Sequence, residues 1–271
     1  MRVAAYQAPY RLFPAPLDAD LVVPYVQRAH DAGVEILVCP EAVIGELANE
    51  SDGDDPATVA LSAFSQELRA AITPLLGWDM SIVVGFTERG AGGAIHNSAA
   101  VIQGDDILGI YRKTYPGTSK CVAGTELPVF HHNDITFGVL ICNDAHYIEP
   151  ARVLAAKGAQ LLAVPVHGGH RPAKEHQWRA RGNNVLIARA VENSIAVVAA
   201  DIAGHQGERL SYGTTAIIDT QGSVIASATE LLEDLVIADL DFDGPRGGMD
   251  GNLFGHSNPA VTAEFRAFWP Q

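Results

Sequence analysis

Positive charge is scarce in this chain: 18 Lys plus Arg face 32 Asp plus Glu among 271 residues, a formal charge of −14. A field of that sign repels a phosphate backbone and an anionic lipid surface, so no nucleic-acid partner and no membrane partner is expected. Long apolar runs are missing as well. The longest, Ile195 to Ala200, is six residues, against the ~20 that a bilayer span needs. The first nine residues, Met1 to Pro9, have neither the apolar length nor the cleavage pattern of a signal peptide, and a cytoplasmic location is expected. Cysteine is sparse too. Cys39, Cys121 and Cys142 are an odd number without C-x-x-C spacing, which argues against a disulfide frame and against a zinc finger. Free cysteines are ordinarily buried packing residues, so local context has to single one out.

What is present is the material of a packed α/β protein. Apolar residues make up 48% and charged residues 18%, with 26 Gly and 15 Pro spread along the chain, a composition far from that of disordered or collagen-like sequences. Short β-rich runs bounded by Gly, Pro or Asp predict strands near 2–7, 34–39, 81–86, 96–103, 106–111, 135–141, 160–165, 195–201, 213–218, 223–227 and 235–240. Helices are predicted at about 19–32, 56–75, 148–157 and 174–193. Turn signals at Gly104-Asp105 and Gln221-Gly222 imply antiparallel hairpins. The helix-linked strands 2–7 and 34–39, and likewise 135–141 and 160–165, read as parallel crossovers. A mixed sheet set with helices segregated on one side, and no Gly/Ser-rich linker, predicts one domain over 1–271 built as an α-β-β-α sandwich. An irregular tail is expected from about 242, with Phe265, Phe268 and Trp269 as a subunit contact or as packing on its own domain.

Three strands run directly into an ionisable or nucleophilic residue. Ile135 to Ile141 leads into Cys142 just before a helix, which presents a thiol to a cleft beside backbone N–H groups. Val34 to Pro40 leads into Glu41, poorly solvated at that place and suited to a general base. Ile107 to Arg112 leads into Lys113, whose ammonium could favour a nearby thiolate and hold the oxygen of a tetrahedral intermediate. Each has a plainer alternative: a small hydrophobe ending a strand, a loop charge after proline, a lysine blunting an edge strand. An acid, a cation and a thiol placed alike in one chain are harder to set aside.

On these residues the chain resembles the nitrilase, or carbon–nitrogen hydrolase, superfamily. Pro40-Glu41, Tyr111-Arg112-Lys113 and Ile141-Cys142-Asn143-Asp144, with Glu149 and Arg152 downstream, carry the resemblance. Asn97-Ser98, Gly158-Ala159, Trp178 with Ala188 to Asn193, and Tyr212-Gly213 with Gly222 support it, in family order over roughly 1–241. The resemblance implies a Glu–Lys–Cys triad on the α-β-β-α sandwich, with no metal and no organic cofactor. Glu41 would be the base, Lys113 the stabiliser of the oxyanion and intermediate, Cys142 the nucleophile, and the Asn143 backbone N–H a second oxyanion donor. It also implies a homodimer or higher homo-oligomer.

The chain departs from the family where many members carry a second glutamate between the lysine and the cysteine. Thr118-Ser119-Lys120-Cys121 holds no acid, and Glu126, just past Gly124, is the nearby carboxylate that could substitute or could be a solvated turn. Asn143-Asp144 begins like the motif of N-carbamoyl amino-acid amidohydrolases, but Ala145-His146 replaces the arginines that grip a carboxylate there. A small amide or N-carbamoyl substrate is therefore expected rather than a nitrile, with a catalytically silent metabolite- or partner-binding member of the same fold as the alternative. His146, His167 and His170 are candidate substrate contacts at the rim near Cys142. His176 would add a third histidine to His167 and His170, but the spacing matches no zinc signature. His131-His132 reads as a solvated hairpin pair.

Overall fold

A computed structural model describes residues 1–242 and Ala260; the expected tail, with Phe265, Phe268 and Trp269, lies outside the described residues. Among the described residues the larger sheet has nine strands. Its main order is Arg209–Ser211, Ile202–Gln206, Arg2–Pro9, Ile36–Val38, Trp78–Arg89, Ile95–Gly104, Asp106–Arg112. Asp234–Asp239 pairs antiparallel with Arg2–Pro9, and the short Leu61–Ser62 pairs with the end of Trp78–Arg89. The smaller sheet has, among the described residues, six strands in the order Val224–Ser227, Ala216–Ile218, Ala196–Ala200, Leu161–Pro165, Ile135–Val139, Val129–His132. Both expected crossovers are parallel, and both expected hairpins are antiparallel.

Central strands are buried on both faces, which is why they read as unbroken apolar runs. Val3, Ala5, Val38, Val83, Val101 and Tyr111 meet Phe137, Val139, Ala163 and Val198 between the sheets. The alternate residues Ala4, Tyr6, Leu37, Ile82 and Val84 pack outward on Val26, Ala29, Leu68 and Ile72. Leu162, Val164, Val197 and Ala199 do the same on Ala151, Leu154, Leu186 and Ala190. Helices therefore cover the outer face of each sheet, giving α-β-β-α layers.

Two predicted helices are broken. The span 56–75 divides into a 3-10 turn at Pro56–Val59, the strand Leu61–Ser62, a helix Gln66–Ile72 and a second 3-10 turn at Thr73–Leu75. Ser65 caps the middle piece by accepting from the Leu68 N–H, and Phe64 just before it has a φ of 53°. The span 174–193 divides into Pro172–Arg181 and Asn184–Asn193 at Gly182, whose φ of 54° and ψ of −145° suit glycine almost alone. Val129–His132, Ile202–Gln206 and Arg209–Ser211 are strands beyond those predicted. The first of these corrects the solvated histidine pair. Only His131 is exposed, whereas His132 is buried with its Nδ1 2.9 Å from the Ser81 hydroxyl of the facing sheet.

Candidate active site

Glu41 and Lys113 leave strands of the larger sheet that run in the same direction, and Cys142 leaves the smaller sheet. The three come together where the sheets meet. Lys113 Nζ donates to Glu41 Oε1 at 2.5 Å, and Asn97 Nδ2 donates to the same oxygen at 2.6 Å. Glu41 Oε2 is buried and has no partner among the described residues. Gly85 makes room for this turn, since a Cβ there would lie 2.4 Å from the Ala42 nitrogen and 2.8 Å from the Glu41 Cα. Cys142 follows the strand with a φ of 43°, a strained elbow that opens a 3-10 turn, Cys142–His146, containing the Asn143 N–H. The His167 backbone N–H donates toward its sulfur.

Asp144 ties the lysine loop to the cysteine turn. Its buried carboxylate accepts from the Tyr111 hydroxyl at 2.6 Å, Thr114 Oγ1 at 3.0 Å, and the N–H groups of Tyr115 at 2.7 Å and Ile141 at 2.9 Å. Tyr115 and Tyr147 stack across the same junction at 3.6 Å. From behind, Arg189 Nε donates to the Ala145 carbonyl at 2.9 Å. The acid-free stretch after Lys113 is held instead by Glu50, which accepts from Thr118, Ser119 and the Lys120 N–H.

Burial works against the Lys113 ammonium, but Glu41 and then Cys142 outweigh it and hold the group above the ordinary lysine range. The Cys142 thiol is pushed up to about 12 by burial and by the Glu41 charge, with Lys113 acting in the opposite direction. Lys113 thus acts in the expected direction, toward the thiolate, but burial and the Glu41 charge outweigh it.

Cys142 lines a narrow cavity of about 100 Å³ together with His146, His170, Glu175, Trp178 and Asp201. His146 is exposed and sits edge-on to Trp178, and His170 stacks on the same ring. Burial drives His170 down to about 4, so it is neutral at pH 7. His167 does not offer its ring to this cavity. Its buried imidazole bonds Glu46 and lies edge-on to Tyr10, so only its backbone reaches the sulfur. His176 turns to Tyr212. Glu126 is exposed in a separate groove with Arg112 and is not brought to Lys113. Among the described residues no group of three or more His, Cys, Asp or Glu is arranged to hold a metal ion, and no helix is long and apolar enough to cross a membrane.

Residues 2–246 match the carbon-nitrogen hydrolase family. The chain belongs to that family. A relative named "Hydrolase in pqqF 5'region", from Pseudomonas protegens, is 32% identical over 263 residues, covering 89% of this chain and 83% of that protein. A deaminated glutathione amidase of Synechocystis is 29% identical over 230 residues, covering 78% and 81%. An amidase from Nesterenkonia sp. AN1, whose structure carries acrylamide added at its active-site cysteine, superposes with a TM-score of 0.76 at 21% identity. That match covers 98% of this chain and 99% of the other, and it shows the same fold.

Two acids of this carbon-nitrogen hydrolase escaped the sequence reading. Asp201, fully buried, accepts from the N–H groups of Gly168, Ile202 and Thr214 and from the Thr214 hydroxyl. Glu175, in the first turn of Pro172–Arg181, is 3% exposed. Its spacing of three from Trp178, which puts both on one helix side, was the available signal.

Proposed function

We propose that the protein hydrolyses a small amide or N-carbamoyl compound at a non-peptide carbon–nitrogen bond through a cysteine thioester, releasing ammonia or an amine. The observation that carries this reading is the state of Glu41: a buried carboxylate with one oxygen held by Lys113 and Asn97 and the other free, within the electrostatic reach of a thiol.

A thiol at about 12 is a poor nucleophile until its proton is removed. In this reading Glu41 takes that proton as the sulfur attacks the carbonyl carbon. The C=O electron pair moves onto oxygen, where Lys113 Nζ and the Asn143 N–H hold it. The C–N bond then breaks as the carboxyl of Glu41 returns its proton to the nitrogen. Water, deprotonated by the same carboxylate, attacks the thioester, and the thiol is regenerated with release of the acid. So written, the sequence calls on no metal and no organic cofactor. Assembly as a homodimer or larger homo-oligomer belongs to the same reading and is checked by light scattering.

The test is ammonia release over primary amides, ω-amides of dicarboxylic acids and N-carbamoyl amines, with C142A beside the wild type. C142A is expected to lose nearly all turnover; full activity in that variant overturns the assignment. Iodoacetamide should modify Cys142 ahead of Cys39 and Cys121, whereas equal slow labelling and no ammonia would favour a silent binding protein.

A further inference from the structure

The hydrolase reading leaves one wall of the cavity unused. Glu175 is 3% exposed; its Oε1 accepts from the Tyr212 N–H at 3.1 Å, and its Oε2 has no partner among the described residues. A buried carboxylate oxygen without a donor is costly, so such an oxygen beside a cavity marks a place where a ligand can supply one. The position is also electrically one-sided. Asp201 lines the same cavity, is fully buried and acts on both Glu175 and Cys142. Its four donors are all protein groups, so it adds negative charge without competing for the ligand.

The cations nearby do not neutralise Glu175. Lys174 is exposed on the same helix, and Arg181, exposed at the cavity mouth, lies over the Trp178 ring at 4.9 Å. His170 and His146 are both held below the ordinary histidine range by burial first. Burial, reinforced by Asp201 and offset only in part by the Tyr212 N–H and by Lys174, pushes the Glu175 carboxyl up to about 7, as befits an acid with too few donors.

Resting on the proposed hydrolysis at Cys142, we infer that Glu175 is a specificity-determining residue that accepts a hydrogen bond from a cationic nitrogen, such as a primary ammonium, carried by the substrate away from the scissile bond. The cavity of about 100 Å³ suits a short chain between the two ends. A substrate carboxylate at that end would face Glu175 and Asp201 and is disfavoured.

The experiment compares kcat/KM at pH 8 for three amides of similar length: 4-aminobutyramide, butyramide and succinamate. A hydrogen bond to a charged group supports a preference of about tenfold or more for the ammonium compound over the neutral one. Succinamate should be the poorest of the three. In E175Q the ammonium-to-neutral ratio should collapse toward one, and E175D should keep part of it. A wild-type ratio at or below one, or an undiminished ratio in E175Q, overturns the inference whatever the variants' absolute activity.

Calorimetric binding of 4-aminobutyramide to C142A and to C142A/E175Q separates the two proposals. Hydrolysis through Cys142 with no ammonium preference sinks the role of Glu175 alone. Binding that weakens about tenfold without Glu175 supports that role even if no wild-type turnover is found, in which case it is the hydrolase reading that fails.

Discussion

Two carboxylate–cation pairs lie one residue apart on the same hairpin and have opposite characters. Ser98 and Arg112 face one way and bond Glu88; Asn97 and Lys113 face the other and bond Glu41. Both acids are buried. Glu88 is saturated: the Arg112 guanidinium spans both of its oxygens and Ser98 adds a third donor at 2.7 Å. Glu41 has two donors on one oxygen and none on the other. Lysine brings a point charge where arginine brings a fork, and that difference leaves Glu41 an oxygen to use. Burial and pairing are common to both, so the distinguishing property is unspent acceptor capacity.

The largest expected effects come from changing each acid to its amide. E41Q should lower kcat by about 10²–10⁴, the range for loss of a general base. E88Q should leave kcat near the wild-type value and lower the melting temperature instead. Equal kinetic losses in the two variants would erase the distinction between the pairs.

The cations come next. K113A should cost about 10²–10³ in kcat, as for loss of an oxyanion donor. It should also cost about 3–5 kcal/mol in stability, because Glu41 is left buried and uncompensated. For R112M the kinetic effect should be small. Its stability cost should be roughly 1–3 kcal/mol, reduced from the buried-pair value because the guanidinium side chain is 45% exposed. Urea titrations and ammonia release on the same preparations check both.

The smallest effects are in pH dependence, and they have opposite signs for two acids. Burial tends to raise the Glu88 carboxyl, but the Arg112 and Ser98 bonds outweigh it and hold it below the usual range. Its stabilisation is present above the unfolded value of ~4.3 and is lost as pH falls through the folded value. Glu175 is raised to about 7, so its contribution is complete below ~4.3 and is lost as pH rises through about 7. Thermal melts should therefore show a shallower acid-side decline in R112M, and a flatter profile between about pH 4 and 7 in E175Q.

The meeting of Glu41, Lys113 and Cys142 was legible because each closes a strand: those before Glu41 and Cys142 are buried on both faces, so an apolar run stops abruptly at a reactive side chain, whereas Lys113 closes a half-exposed edge strand and was marked by its place in the pattern. Sheet layering was legible from the same apolar runs. Glu175 was not, because its importance depends on the cavity wall, and that wall exists only where Gly182 breaks what reads as one continuous helix. Asp144 was read as a clue to substrate, whereas its four donors make it a clasp between two loops. His167 and His132 were placed near the right elements, but partners distant in sequence, Glu46 and Ser81, decide where their rings go.

The alternation along Asp106–Arg112 carries a consequence for the far end of that hairpin. From Asp106 to Lys113 is seven steps, roughly 23 Å at ~3.3 Å per residue. Deleting one residue from the bend at Gly104-Asp105 would slide the arm by one place and turn every side chain to the opposite face. The ammonium would then arrive beside Glu88 and the Thr114 hydroxyl beside Glu41, with the guanidinium drawn back to the place of Tyr111 and no residue near the sulfur substituted. The length of a remote bend is thus a determinant of reactivity, and shortening it would mimic a double substitution at 112 and 113.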